Sequence, residues 1–161
     1  MAGKIIALES TNQQLLNKTA RYLALKLQGE GKTVEVLSFP QAKQSSSHFV
    51  ESHQKGEYGD VNPYAASMFY ILDRYDASPQ IRQFLEQDVI VICKSYRGTS
   101  LAELGAQIKD AETRKGFYIW ADSLESGTFS VPRPDIAIVL SEELPTLYEL
   151  CELFPKDYIF A

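Results

Sequence analysis

Few side chains in this sequence are placed for chemistry. Tyr70 and Arg74 stand four residues apart. In a helix they share a face, where the ring can stack on a flat ligand and the guanidinium can donate to it. His48 and His53 are five apart, a spacing that separates them around a helix and offers no metal pair. Ser45, Ser46 and Ser47 precede a helical stretch and read as its N-cap region rather than as a nucleophile. Cys93, in a predicted buried strand, and Cys151, in a predicted helix, show neither metal-ligand nor disulfide spacing and read as core thiols. Lys18 and Thr19 form a pair that holds phosphate and magnesium only behind a glycine-rich loop. No such loop precedes them.

The elements that must position these residues alternate. Lys4 to Glu9, Thr33 to Ser38, Val89 to Cys93 and Asp135 to Leu140 are β-branched or apolar runs, and Asp157 to Phe160 is a possible fifth. Between them, Leu16, Ala20, Leu23 and Leu27 recur at helical spacing. Further helices are expected near Ser47 to Lys55, Pro63 to Tyr75, Pro79 to Leu85, from Thr99 as a cap, Ala111 to Ser123, and Leu144 to Phe154. The alternation predicts a three-layer α/β domain with a mostly parallel sheet. At 161 residues one domain spanning 1–161 is expected, within the usual ~100–200. The net charge is −5 with both signs interspersed, which argues against a nucleic-acid surface. No apolar run approaches the ~20 residues of a membrane helix, and Lys4 to Leu8 is too short for a signal-peptide core. A cytoplasmic protein is the expectation.

The order of residues then becomes informative. Phe39–Pro40, the segment GEYGD from Gly56 to Asp60 and PYAASMFYILDR from Pro63 to Arg74 resemble the thymidylate kinases in order and spacing. Tyr96, Gly105, Gln107, Pro132, Pro134 and Asp135 extend the resemblance to about Leu140. It implies the fold of the P-loop nucleoside-monophosphate kinases, with the lid and C-terminal part reduced. It also implies an ancestral reaction, transfer of the terminal phosphoryl of ATP to thymidylate, in which the protein mainly positions and neutralises phosphate.

The parts for that reaction are missing. Against G-x-x-x-x-G-K-[ST], the segment runs Ser10 to Asn17. Ser10 and Leu15 replace the glycines that let backbone N–H groups wrap phosphate, and Leu16 and Asn17 replace the Lys and the magnesium-holding hydroxyl. Lys18 and Thr19 fall two residues late, a rotation of about 200° on a helix. Where the resemblance implies Asp-Arg-Tyr after the third strand, the chain has Lys94, Ser95 and Tyr96. Where it implies Phe-Pro-Arg, it has Phe39, Pro40 and Gln41. After Leu140 a helix and a possible strand are expected to use the remaining residues, so an arginine-rich lid is not expected there. No metal or cofactor site is expected.

What the resemblance retains is an acceptor-side pocket. Arg74 stands at its thymine-recognising arginine, Tyr70 at its stacking aromatic and Asn12 at an acid near the sugar, with Phe39 lining the pocket. The residues alone also allow Tyr70 as core and Arg74 paired with Asp73 or Glu57, and Tyr118 and Trp120 as core or contact surface. The expected function is a non-catalytic, kinase-like binding or assembly partner, either a homodimer or a heterodimer with a related kinase. The alternative is a sensor or carrier of thymine nucleosides or nucleotides in which phosphate adds little. An active kinase is the least favoured reading.

Overall fold

The computed structural model describes residues 2–140 and 144–161. Five parallel strands form one sheet in the order β2-β3-β1-β4-β5. They are β1 (Lys4–Glu9), β2 (Val34–Ser38), β3 (Ile90–Lys94), β4 (Ile136–Val139) and β5 (Tyr158–Phe160). The expected four strands are present, and the possible fifth completes the edge beside β4. The central ladder aligns Lys4 with Ile90 and Leu8 with Lys94, so β1 and β3 end side by side.

Side chains alternate across a strand, and the two faces are covered differently. Leu8 and Ile92 meet Leu16, Ala20 and Ala24 of α1 (Gln13–Gly29) on one face. Ile5, Ala7, Val91, Cys93, Ala137 and Val139 face the larger core opposite. That core is built by α3 (Pro63–Glu86), α4 (Gly98–Gly105), α5 (Ala111–Asp122) and α6 (Pro145–Leu153). A short helix, α2 (His48–Gln54), follows a single 3-10 turn at Ser45–Ser47 and packs on α3. Ser47 stands at its N-cap but makes no capping bond; its hydroxyl donates instead to the Gln44 carbonyl at 2.8 Å.

One expectation is corrected. The two helices read at Pro63 to Tyr75 and Pro79 to Leu85 are the single helix α3. Proline removes one helical hydrogen bond, but Pro79 and Tyr75, whose carbonyl loses its donor, are both exposed, so water can serve that carbonyl. Meanwhile Ala77 and Ile81 continue the buried face set by Ala66, Tyr70 and Ile71. Burial on one face outweighs the break on the other. Pro79→Ala is therefore expected to restore the missing bond and stabilise the protein by roughly 1–3 kcal/mol, a rise in Tm of several degrees for a chain of this size. A thermal melt showing a lower Tm would contradict this account of α3.

Candidate active site

The carboxyl ends of β1 and β3 open onto a crevice because the chain leaves β1 into α1 on one sheet face and leaves β3 toward α4 on the other. Crevices of this kind are where open α/β sheets bind ligands. Glu9, the last residue of β1, is fully buried. It accepts hydrogen bonds from the backbone N–H groups of Arg97 and Thr99 at 3.0 and 2.8 Å and from Thr99 Oγ1 at 2.6 Å. Thr99, expected as a helix cap, is instead this tie between α4 and β1. Gly98 allows the approach, since a Cβ there would lie 2.8 Å from the Tyr158 ring and 3.0 Å from the Glu9 side chain. Burial pushes the Glu9 carboxyl above its ordinary value, against the opposing pull of the Thr99 and Gly98 bonds.

Behind the crevice lies a chain of charges. Arg74, 2% exposed, forks onto Glu125 through Nε at 2.5 Å and Nη2 at 3.1 Å. Its Nη1 donates to the Tyr96 carbonyl at 2.9 Å and to Ser100 Oγ at 3.1 Å. Arg97 approaches the other side of Glu125, its Nε 3.4 Å from Oε2, and pairs with Asp122 at 2.7 Å. Asp122 in turn takes Arg133 at 2.6 Å. Burial pushes the Glu125 carboxyl up, but Arg74 and then Arg97 outweigh it and hold it below the ordinary carboxylate range. Glu125 is the structural partner of Arg74, rather than Asp73 or Glu57. It sits in a π-helical turn, Ser123–Thr128, that continues α5. No local pattern marks it in the sequence, since it lies 51 residues from its partner.

The crevice itself encloses about 90 Å³. At ~10–15 Å³ for each enclosed water it has room for one heterocyclic ring, and it is well below the ~300–1,000 Å³ of sites that bury a drug-sized ligand. Tyr70, Phe39 and Arg74 line it together, with Ser10, Thr11, Gln13, Gln54 and Glu103. Phe39 packs on Tyr96 with ring centroids 5.0 Å apart. The Tyr70 hydroxyl lies 3.4 Å from His53 Nδ1; burial raises its pKa, and Glu103 adds to the rise. His53 is thus half-buried against Tyr70 and Phe69 rather than free in solvent, while His48 is exposed.

Asn12 is not part of this lining. Its side chain accepts the Leu15 N–H at 3.0 Å and caps α1, a role that Asn fills well at a helix start. Gln41, which lacks the charge of a phosphate-clamping arginine, fastens Asp73 instead: its backbone N–H donates at 2.9 Å and its amide at 3.2 Å. Among the described residues, no group of three or more His, Cys, Asp or Glu side chains is placed to hold a metal.

At the start of α1, Leu16 is fully buried against the sheet in the smaller core, and Leu15 is half-buried. Ser10 is buried, with its hydroxyl accepting the Asn12 N–H at 3.0 Å. Ser95 follows β3 with φ of 53°, and its hydroxyl is buried without a hydrogen-bond partner among the described residues. Lys94 Nζ donates to Asn17 Oδ1 at 2.7 Å, bridging the end of β3 and the N-terminal part of α1.

No protein-family model matches the chain. Human thymidylate kinase is 23% identical over 143 residues, a span covering 88% of this chain and 62% of that protein. The solved structure of thymidylate kinase from Candida albicans superposes with a TM-score of 0.73 at 16% identity, covering 99% of this chain and 83% of that one. The chain is related to the thymidylate kinases and has their fold. It spans less than two thirds of the length of the curated human relative.

A thymidylate-kinase reaction would need magnesium and ATP, and the phosphate side of this crevice does not fit them. Magnesium requires hard oxygen ligands, carboxylates above all. The two positions that the resemblance assigns to its support hold an ammonium and an amide already bonded to each other. The position expected to present a lysine to phosphate holds Leu16, packed into the core.

Breaking the buried pair leaves two guanidinium groups without their shared carboxylate. Glu125→Gln should therefore lower stability at neutral pH by about 3–5 kcal/mol. Glu125 has a depressed folded value, so its contribution is full above the unfolded range near ~4.3 and is lost as pH falls through the folded value. Urea titrations of both proteins at pH 7 and pH 3 should show the gap shrinking at the lower pH. A gap independent of pH would contradict the assignment of an ionised Glu125.

Proposed function

We propose that this chain is a non-catalytic relative of the thymidylate kinases that acts as a binding or assembly partner. The observation that carries the reading is the bond between Lys94 and Asn17 at 2.7 Å. It places a fixed positive charge between the two elements that would share a metal, and it uses the amide that would have to turn toward that metal. A second cation brought into the same space meets like-charge repulsion. A coupled assay with ATP, magnesium and thymidylate at high protein concentration is expected to show no turnover. Magnesium-dependent turnover abolished by Lys18→Ala would overturn the reading.

The assembly surface is the outer face of α3. Tyr64, Met68, Leu72 and Tyr75 follow one another at intervals of four, four and three residues and are 38–51% exposed. Such spacing forms one helical stripe, with Phe49 and Phe129 lining the grooves beside it. A contiguous exposed apolar stripe marks an interaction site, and the occupant favoured here is the same helix of a second copy or of a related kinase. Sedimentation of the wild type at micromolar concentration should give a dimer, and Leu72→Glu should give a folded monomer. A monomeric wild type would leave only the heterodimer, testable by mixing with an intact thymidylate kinase.

A second reading has its own support. Tyr70, Phe39 and Arg74 line one ring-sized cavity, as a weak binder of thymine nucleosides requires. Four of the five guanidinium N–H groups of Arg74 are already engaged, so at most one is available to a base. This makes nucleoside binding the weaker of the two readings. Titration calorimetry with thymidine on wild type and Tyr70→Ala tests it, with affinity lost in the variant.

A further inference from the structure

The cavity offers a ring-sized space, but the residues around it do not present the free positive charges that a phosphorylated ligand requires. Its one cationic wall residue, Arg74, is paired with Glu125 at 2.5 Å. Ser95 and Gln41, at positions where the resemblance implies arginines, carry no charge. Two carboxylates remain on the lining. Asp73 is fixed by Gln41 and Ser46. Glu103, on α4, has no hydrogen-bond or ion-pair partner among the described residues, and its residue is exposed at the cavity rim. Burial of its carboxyl against the cavity, and then the neighbouring Glu9, push the Glu103 carboxyl above its ordinary value. Lys94, at the end of β3, is bonded to Asn17.

We propose that Glu103 sets the ligand class of this cavity: an uncharged or cationic nitrogen heterocycle, with its phosphorylated form turned away. The inference rests on the nucleoside-binding reading above and goes beyond it, from phosphate adding little to phosphate being penalised. A phosphomonoester brings a charge of about −1.5 to −2, and next to an unpaired carboxylate in a partly enclosed site it should cost roughly tenfold or more in affinity. The free Glu103 carboxylate instead offers two acceptor oxygens to ring N–H or amino groups. The unpartnered Ser95 hydroxyl adds one neutral donor. Phe39 and Tyr70 supply the faces on which a ring can rest.

Titration calorimetry with thymidine and thymidylate, on wild type and on Glu103→Gln, decides the matter. The exposed position of Glu103 makes the variant a safe one for folding, checked by an unchanged thermal melt. The wild type should bind thymidine at least tenfold more tightly than thymidylate. Glu103→Gln should narrow that ratio to within about threefold, chiefly by strengthening thymidylate, and added salt should do the same for wild type but not for the variant. Equal binding of the two ligands by wild type, or a ratio unmoved by the substitution, overturns the role of Glu103 while leaving nucleoside binding intact. Absence of thymidine binding at millimolar concentration overturns the nucleoside reading itself and this inference with it.

Discussion

The fold around the crevice depends on one buried carboxylate. Glu125 is fully buried between Arg74 and Arg97, and these three residues come from three separated stretches: the middle of α3, the turn after β3, and the π-helical end of α5. A charge removed from water in this way is tolerated only if it is paired and hydrogen-bonded. Satisfying Glu125 therefore fixes where α3 lies relative to the β3–α4 turn, and with it the positions of Tyr96 and Ser100, which share Arg74. The crevice wall follows from that pairing. Such pairs are weak evidence for added stability, but here the geometry shows what the pair specifies: the orientation of the Arg74 fork.

The opposite wall follows a different rule. At the start of α1, the residues at the positions that the resemblance assigns to phosphate are ordinary parts of a helix start. Asn12 caps it, Leu16 enters the core and Asn17 ties Lys94. Each replacement makes local sense on its own, as capping, burial or a side-chain hydrogen bond. Together they leave this end of the crevice satisfied by the protein's own groups. The other side is lined by Phe39 and Tyr70, with Arg74 paired to Glu125. The two halves of the crevice thus differ, one filled from within and the other lined by aromatic rings and paired or partly buried charges.

Much of the fold was legible because strands and helices announce themselves through local patterns. Val89 to Cys93 has few alternatives to a buried strand, and Leu16, Ala20, Leu23 and Leu27 have few to a helix face. Pro79 misled because its effect depends on which side of α3 meets water, which only the packed structure decides. Asn12 and Thr99 were read by position along the chain, whereas their partners, Leu15 N–H and Glu9, were settled by local turn geometry and by strand register. Glu125 was not legible at all. A lone glutamate in a polar turn acquires meaning only when a guanidinium 51 residues earlier is brought against it, and Glu103 likewise matters only once α4 is seated beside β1.

The central claim is that the phosphate side of the crevice is occupied by the protein's own side chains. Amide chemical shifts across Ser10 to Asn17 and at Lys94 and Ser95, followed while magnesium and ATP are added to millimolar concentration, test it most directly. The account predicts that these amides stay unmoved, because Leu16 remains in the core and the Lys94–Asn17 bond holds. Saturable shifts confined to that segment, with α1 reopening around the nucleotide, would contradict it.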